Sequence, residues 1–176
     1  MLKGKNIELR AMEPADIDLL YQWENNSELW QLSNTVAPFS RFVLEQYIMD
    51  SHQDIFTSKQ LRLMVDKNEN GNLITIGTID LFDFDPVNKR AGIGIMIIKQ
   101  DQRKGYATEA LQMLINYCFN TLKLHQVYCN IIADNLASMN LFKKAGFKVA
   151  GIKKEWILAG NLWKDEYTLQ LINAAD

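Results

Sequence analysis

The segment Gln102-Arg103-Lys104-Gly105-Tyr106-Ala107 combines the residue types of an anion site and joins a predicted strand to the clearest predicted helix. The first-turn N–H groups of a helix have no partners within it, and the aligned peptide dipoles add partial positive charge there. Gly105 lets backbone approach a ligand closely, Ala107 keeps the next turn unobstructed, and Arg103 and Lys104 add full charges. This chemistry suits a phosphate or diphosphate; a solvated loop turning at a glycine would use the same residues. Two commoner phosphate loops do not fit. A P-loop has its lysine after the glycine, and here Lys104 precedes Gly105. Gly92 and Gly94 begin a dinucleotide pattern, but Ile97 stands where its third glycine belongs.

The elements that would position this segment follow from periodicity. Ile7, Leu9 and Ala11 alternate with polar residues, which predicts a strand at 6–11. Pro14 suits the first turn of a helix that continues through Ile17, Leu20 and Tyr21. Ser40 is placed to cap a second helix whose apolar face is Leu44, Tyr47 and Ile48. Leu61, Leu63 and Val65 alternate as a strand closed by a turn at 68–72. Residues 73–82 and 91–98 read as an antiparallel hairpin joined by the turn-rich stretch 83–90. Ala107, Leu111, Leu114, Ile115, Cys118, Phe119 and Leu122 form the apolar stripe of the long helix. A strand at 126–133, a helix at 136–145 stopped by Gly146, and two strands around Ala159-Gly160-Asn161 complete the order β-α-α-β-β-β-α-β-α-β-β. The crossover across 91–133 demands one parallel pair and the hairpins demand antiparallel ones. The expected fold is α/β (α+β): a mixed, mostly antiparallel sheet with helices on both faces.

With 176 residues, 48% of them hydrophobic, and no repeat or linker, the chain reads as one domain over 1–176. No run is long and apolar enough to suggest a membrane span, and the opening MLKGKNIELR lacks the apolar region of a secretory signal. Cys118 and Cys129 make no disulfide framework, so a cytoplasmic location is expected. His52 and His125 stand apart from any Cys or Glu pattern, so no metal is expected. Residues 1–98 hold nine Lys or Arg against fourteen Asp or Glu, while residues 99–176 hold ten against seven. An acidic first part and a basic second part match two differently charged ligands, or ordinary surface scatter. The net charge of −2 and the lack of basic–aromatic interleaving argue against nucleic acid as a partner.

Gln102-x-x-Gly105-x-Ala107 resembles the acetyl-CoA signature of the GNAT N-acetyltransferase superfamily. The run from Asn135 through Ser138 and Phe142 to Gly146-Phe147 is similar to that family's second cofactor motif. Leu9-Arg10, the stretch from Tyr21 to Asn25 and Pro38-Phe39-Ser40 resemble the branch holding ribosomal-protein N-terminal acetyltransferases and spermidine N-acetyltransferases. The resemblance implies a splayed parallel strand pair beside the signature. Backbone groups of Ile95, Met96 and Ile97 would then face the pantetheine arm of acetyl-CoA, the co-substrate. It further implies that Gln102, Arg103, Lys104, Gly105, Tyr106, Ala107 and Thr108 hold the diphosphate. Asn135 would hydrogen-bond the pantetheine region, Phe142 would flank the thioester and Ser138 would also bind the cofactor, although Asn135 is also the natural cap of the 136–145 helix.

The reaction implied is direct attack of a primary amine on the thioester, the acceptor being a polyamine, another small cationic amine or a protein N-terminus. Such attack needs a proton acceptor for the ammonium and a proton for the departing thiolate. The family's usual Tyr and Glu positions are Phe142 and Gly92 here. Substitute candidates are Glu24, beside Trp23 in the segment that lines the acceptor pocket in this branch, Asp80, and Tyr167. Asp80, Asp83 and Asp85 are expected to share one face, and Asp165 and Tyr167 alternate on the last strand. The absent Tyr and Glu leave a non-catalytic acyl-CoA sensor as an alternative. A homodimer is the expectation for assembly.

Overall fold

The computed structural model describes residues 1–33, 35–51 and 53–174. The sheet has eight strands: β1 (Leu2–Lys3), β2 (Ile7–Ala11), β3 (Leu61–Glu69), β4 (Asn72–Asp85), β5 (Arg90–Ile97), β6 (Gln126–Ile132), β7 (Lys148–Ala159) and β8 (Leu162–Ile172). They lie in the order β1-β2-β3-β4-β5-β6-β8-β7. Every neighbouring pair is antiparallel except β5 and β6. The helices are α1 (Ile17–Glu24), α2 (Ser27–Ser33), α3 (Arg41–Asp50), α4 (Ile55–Ser58), α5 (Tyr106–Asn120) and α6 (Leu136–Lys144). Among the described residues, no helix is long and apolar enough to cross a membrane.

Most boundaries fall where periodicity and capping put them. The Ser40 hydroxyl accepts from the Val43 N–H at 3.2 Å, opening α3. Asn70 and Gly71 both have positive φ, 54° and 88°, which gives the two-residue turn whose twist matches β3 and β4. Gly146, at φ 97°, ends α6 in the left-handed conformation. Several features depart from expectation, among them the short strand β1 and a 3-10 turn at Lys99–Asp101. Pro14–Asp16 form a 3-10 turn before α1 proper. Helices α2 and α4 are additional; α4 is a single turn held by the Asp54 carboxylate, which accepts from the Phe56 and Thr57 N–H groups. Strand β4 runs on to Asp85, with an irregularity between Phe82 and Asp85 where Asp83 takes φ 49°.

The sheet separates two apolar layers. The main core packs Leu111, Leu114 and Cys118 of α5 and Phe142 of α6 with Leu9, Val65, Ile79, Ile93 and Leu169. On the opposite face, Met12, Leu20, Ile48 and Met64 pack with Ile17, Trp23 and Tyr47. Burying a leucine such as Leu111 is worth about 2–5 kcal/mol against alanine. The two layers therefore fix α5 and the α1–α3 pair to opposite faces.

Candidate active site

Strands β5 and β6 pair through only three residue pairs, Arg90–Gln126, Ala91–Val127 and Gly92–Tyr128. Beyond Gly92 they diverge, and the gap opens into a cleft of about 1170 Å³. One bank is Ile93–Ile97, the other is Cys129–Ile132. The Ile98 N–H donates to the Ile76 carbonyl at 2.9 Å, on the β4 side. Strand alternation then turns the backbone groups of Ile93, Ile95 and Ile97 into the gap, and those of Met96 toward Thr78 on β4. The Ile97 carbonyl is already engaged, accepting from Gln102 Nε2 at 2.8 Å. The bulge that accompanies the divergence sits on β4 rather than at the β5 glycines. Gly92 instead admits the Phe82 ring, into which a Cβ at that position would run.

The loop into α5 leaves the start of that helix open to the cleft. Gly105 occupies the helix N-cap at φ 93° with no side-chain cap, so the first-turn N–H groups are not consumed by one. Arg103 is also left-handed, at φ 62°, a conformation disfavoured for a residue with a side chain. Gln102, Arg103, Gly105, Ala107 and Thr108 line the cleft. Lys104 and Tyr106 are turned elsewhere. Lys104 Nζ donates to Asp101 Oδ1 at 2.9 Å, and Tyr106 packs against the main core. Asp101 is buried, with Lys67 Nζ on the same oxygen at 3.1 Å and no partner on its other oxygen. Burial opposes its ionisation, but the Lys104 and Lys67 ammonium groups outweigh it and hold the carboxyl below its usual range. At the start of α6, Asn135 accepts from the Ser138 N–H at 3.1 Å, the capping role, and both residues line the cleft. Phe142 lines it too, buried and edge-on to Phe147 at 5.0 Å between ring centroids.

The other end of the cleft faces α1 and α3. Cross-strand register sets Arg62 of β3 opposite Asp80 of β4, and Asp80 opposite Gly94 of β5. Arg62 Nε donates to Asp80 Oδ1 at 2.7 Å, and Arg62 Nη1 to Glu24 Oε1 at 2.5 Å. The guanidinium lies 5.3 Å from the centre of the Tyr47 ring. Burial works against the Arg62 cation, and the Asp80, Tyr47 and Glu24 interactions overcome it, so its pKa is raised and it stays charged. Burial pushes the Asp80 carboxyl up even with Arg62 alongside. A Cβ on Gly94 would lie 3.9 Å from Asp80 Oδ2 and from the Phe82 ring, so this glycine leaves open space between the gap and the carboxylate.

Glu24 and Asp80 thus meet in the cleft, while the other acidic candidates do not join them. Asp83 and Asp85 lie three and five residues beyond Asp80, odd steps that alternation sets on the opposite face, so the expectation of one shared face fails on parity. Asp83 accepts instead from the Tyr128 hydroxyl at 3.1 Å, and Asp85 accepts from the Val87 and Asn88 N–H groups of the following turn. Tyr167 packs against the main core, and Asp165 pairs with Lys154 at 2.7 Å. Their neighbour Glu166 lines the cleft, buried and bonded to Lys153 Nζ at 2.7 Å. Arg62, Asp101, Lys144 and Glu166 are the charged cleft residues, among those described, that sequence reasoning passed over. Arg62 was detectable as the one cation within the alternating run Leu61–Val65, which puts it on the face away from the α5 core. Among the described residues no three His, Cys, Asp or Glu side chains cluster as metal ligands; His52 lies outside those residues.

Comparison with known proteins matches this geometry to a family. A sequence model described as an acetyltransferase (GNAT) domain matches residues 6–148. A probable N-acetyltransferase of Bacillus subtilis, YjcK, is 31% identical, with 100% of this chain and 99% of that protein covered. The spermidine N(1)-acetyltransferase of Escherichia coli K12 is 26% identical over 86% of this chain and 77% of its own. The crystal structure of Vibrio cholerae spermidine N-acetyltransferase with CoA and spermine superposes with a TM-score of 0.84 at 22% identity, covering 96% of both chains.

Proposed function

The chain belongs to the GNAT acetyltransferase family as an acetyl-CoA-dependent N-acetyltransferase, and from that premise we propose that it moves the acetyl group directly to a primary amine, a polyamine or other small cationic amine. The observation that carries the acceptor half is the gap itself. It runs from the anion-binding start of α5 along β5 and ends beside Gly94 at two carboxylates, Asp80 and Glu24. The named function of the E. coli relative supports a polyamine. A protein N-terminus presents the same ammonium chemistry and remains within the reading.

The residues fit acetyl-CoA. In this reading the first-turn N–H groups of α5 with Gln102, Arg103, Gly105, Ala107 and Thr108 hold the diphosphate, and Lys104 and Tyr106 fix the loop from behind. The Ile95 backbone groups pair with the pantetheine arm, Met96 and Ile97 shape the bank, and Asn135, Ser138 and Phe142 close the far side. Acetyl-CoA supplies the activated acetyl group. The amine nitrogen forms a bond to the acetyl carbon as the carbon–sulfur bond breaks; the sulfur takes the electron pair, and the proton the nitrogen sheds on becoming an amide leaves with the thiol. Asp80 receives the ammonium proton before attack. Burial makes it a better proton acceptor than an ordinary carboxylate. Glu24 orients the incoming ammonium. Tyr167, packed in the core, has no part in this scheme, and no side chain is assigned to protonate the sulfur.

The whole of 1–176 acts as one domain in this reading, supported by a single sheet spanning residues 2 to 172. A cytoplasmic setting is supported by the free, buried thiols of Cys118 and Cys129, each pushed up by burial to about 12. A homodimer is supported by Trp156, Leu158, Leu162 and Trp163 exposed on the β7–β8 hairpin. The test begins with ligand binding. Acetyl-CoA should raise the melting temperature, and Gly105→Asp, which puts a carboxylate and a strained φ at the helix start, should abolish most of that rise. An equal rise in the variant defeats the site assignment. Acetylated product from a panel of amines, followed with release of free CoA, tests the reaction.

A further inference from the structure

Seven charged residues, among those described, line the cleft. Asp101, Arg103 and Lys144 come from the loop before α5 and the end of α6, and Glu166 comes from β8. The α1–α3 end holds the remaining three: Glu24 from α1, Arg62 from β3 and Asp80 from β4. Arg62 lies between the two acids and bonds to both, with its side chain 21% exposed against 20% and 24% for Glu24 and Asp80. All three therefore keep a face toward the cleft. The Tyr47 ring limits the guanidinium on another side.

Resting on the amine-transfer reading above, we propose that Arg62 sets the charge class of the acceptor, cancelling one of the two carboxylates so that this end of the cleft accepts a single ammonium group. Two carboxylates without the arginine would form a site for two neighbouring cations. With it, one negative charge is left over, and a second ammonium close to the reacting nitrogen meets the guanidinium. Like charges brought together in a partly desolvated cleft repel far more strongly than in water. A long polyamine escapes this penalty by carrying its other charges out of the cleft, whereas a short diamine does not. Arg62 takes no part in the proton or acetyl transfer; it selects by its own charge and positions the two carboxylates it holds. Its bonds to Asp80 and to Glu24 also keep the two carboxylates at a fixed separation.

Propylamine and 1,3-diaminopropane separate this role from a merely structural one. Arg62→Gln keeps N–H donors and removes the charge; Arg62→Lys keeps the charge and loses the forked geometry. The ratio of kcat/KM for the diamine to that for the monoamine should rise about tenfold or more in Arg62→Gln. It should stay within about twofold of the parent in Arg62→Lys, even where absolute rates fall. Lost folding would depress both amines together and leave the ratio unmoved, and a melting curve with acetyl-CoA checks folding separately. The same ratio is read as binding, by calorimetry of each amine with the CoA-loaded protein. An unchanged binding ratio in Arg62→Gln, or no binding of either amine, overturns the assignment of Arg62. Binding with the expected ratio but no acetylated product instead defeats the amine-transfer reading and leaves Arg62 as the charge selector of a binding site.

Discussion

Gly92 and Gly94 stand two residues apart on the same face of β5, and their missing side chains serve different neighbours. At Gly92 the space is filled by the Phe82 ring, so any larger residue must displace an aromatic that itself packs edge-on against Tyr128 at 5.8 Å. At Gly94 the space stays open toward Asp80. Gly94→Val should therefore fold, because its Cβ meets only ordinary contacts, yet its branches would stand between the gap and the carboxylate. Steady-state rates should fall roughly a hundredfold, as for other displacements of a reacting group by about an ångström, with the acetyl-CoA-induced rise in melting temperature retained. Full activity in this variant would mean that the amine approaches by another route. Gly105 at the start of α5 was readable in the sequence, because a glycine directly before the long apolar stripe marks a helix boundary. The Arg62 clamp was not readable, because it depends on the register that brings residues 24, 62 and 80 from three elements to one point.

Among elements, the 3-10 turn before α1 is tied to the sheet by one arginine. Arg10 of β2 donates to Asp16 through Nη1 and Nη2 at 2.7 and 2.8 Å, and through Nε to Asp66 of β3 at 2.7 Å. Asp16 is buried, which opposes its charge, but the forked Arg10 contact and the Glu13 N–H outweigh this and hold its carboxyl below the ordinary value. The native state therefore binds fewer protons at this group than the unfolded chain does. Its contribution is complete above about pH 4 and is lost as pH falls through the lower native value. Asp16→Asn should cost about 3 kcal/mol near pH 7, the low end for breaking a buried pair because Asp66 still holds Arg10. The gap between parent and variant in denaturant titrations should shrink below about pH 4. A difference that stays constant down to pH 2.5 would remove Asp16 from the ion pair's energetics. Most of the element order was legible from periodicity, but β1, α2 and α4 were not: each is too short to show a pattern. The expected alignment of Asp83 and Asp85 with Asp80 fails on parity, since both stand an odd number of residues away, and the left-handed Asp83 interrupts β4 besides.

Across the whole molecule, the unequal halves of the charge distribution converge on one cleft. Its α1–α3 end draws Glu24, Arg62 and Asp80 from the acidic part of the chain. Arg103 and Lys144 come from the basic part, where Asp101 is compensated by Lys67 and Lys104. Exposed charges a few ångströms apart steer ligands in proportion to how poorly salt screens them. Raising ionic strength from about 0.05 to 0.5 M should lower kcat/KM for a cationic amine by about threefold or more, and for a neutral acceptor by less than about twofold. Equal loss for both would assign the salt effect to acetyl-CoA rather than to the acceptor end.

The three residue pairs joining β5 to β6 have a mechanical meaning as well. Strands β1–β5 form one plate and β6–β8 another, and the seam between them is closed at one end only. Backbone hydrogen bonds tie the plates at that end alone, and elsewhere the side chains of the α5 core bridge them. A chain laid along Ile95 would add the rungs the seam lacks and brace one plate against the other. The substance consumed in each turnover would then also be a strut of the enzyme, and the sheet would lose those rungs whenever the spent product leaves.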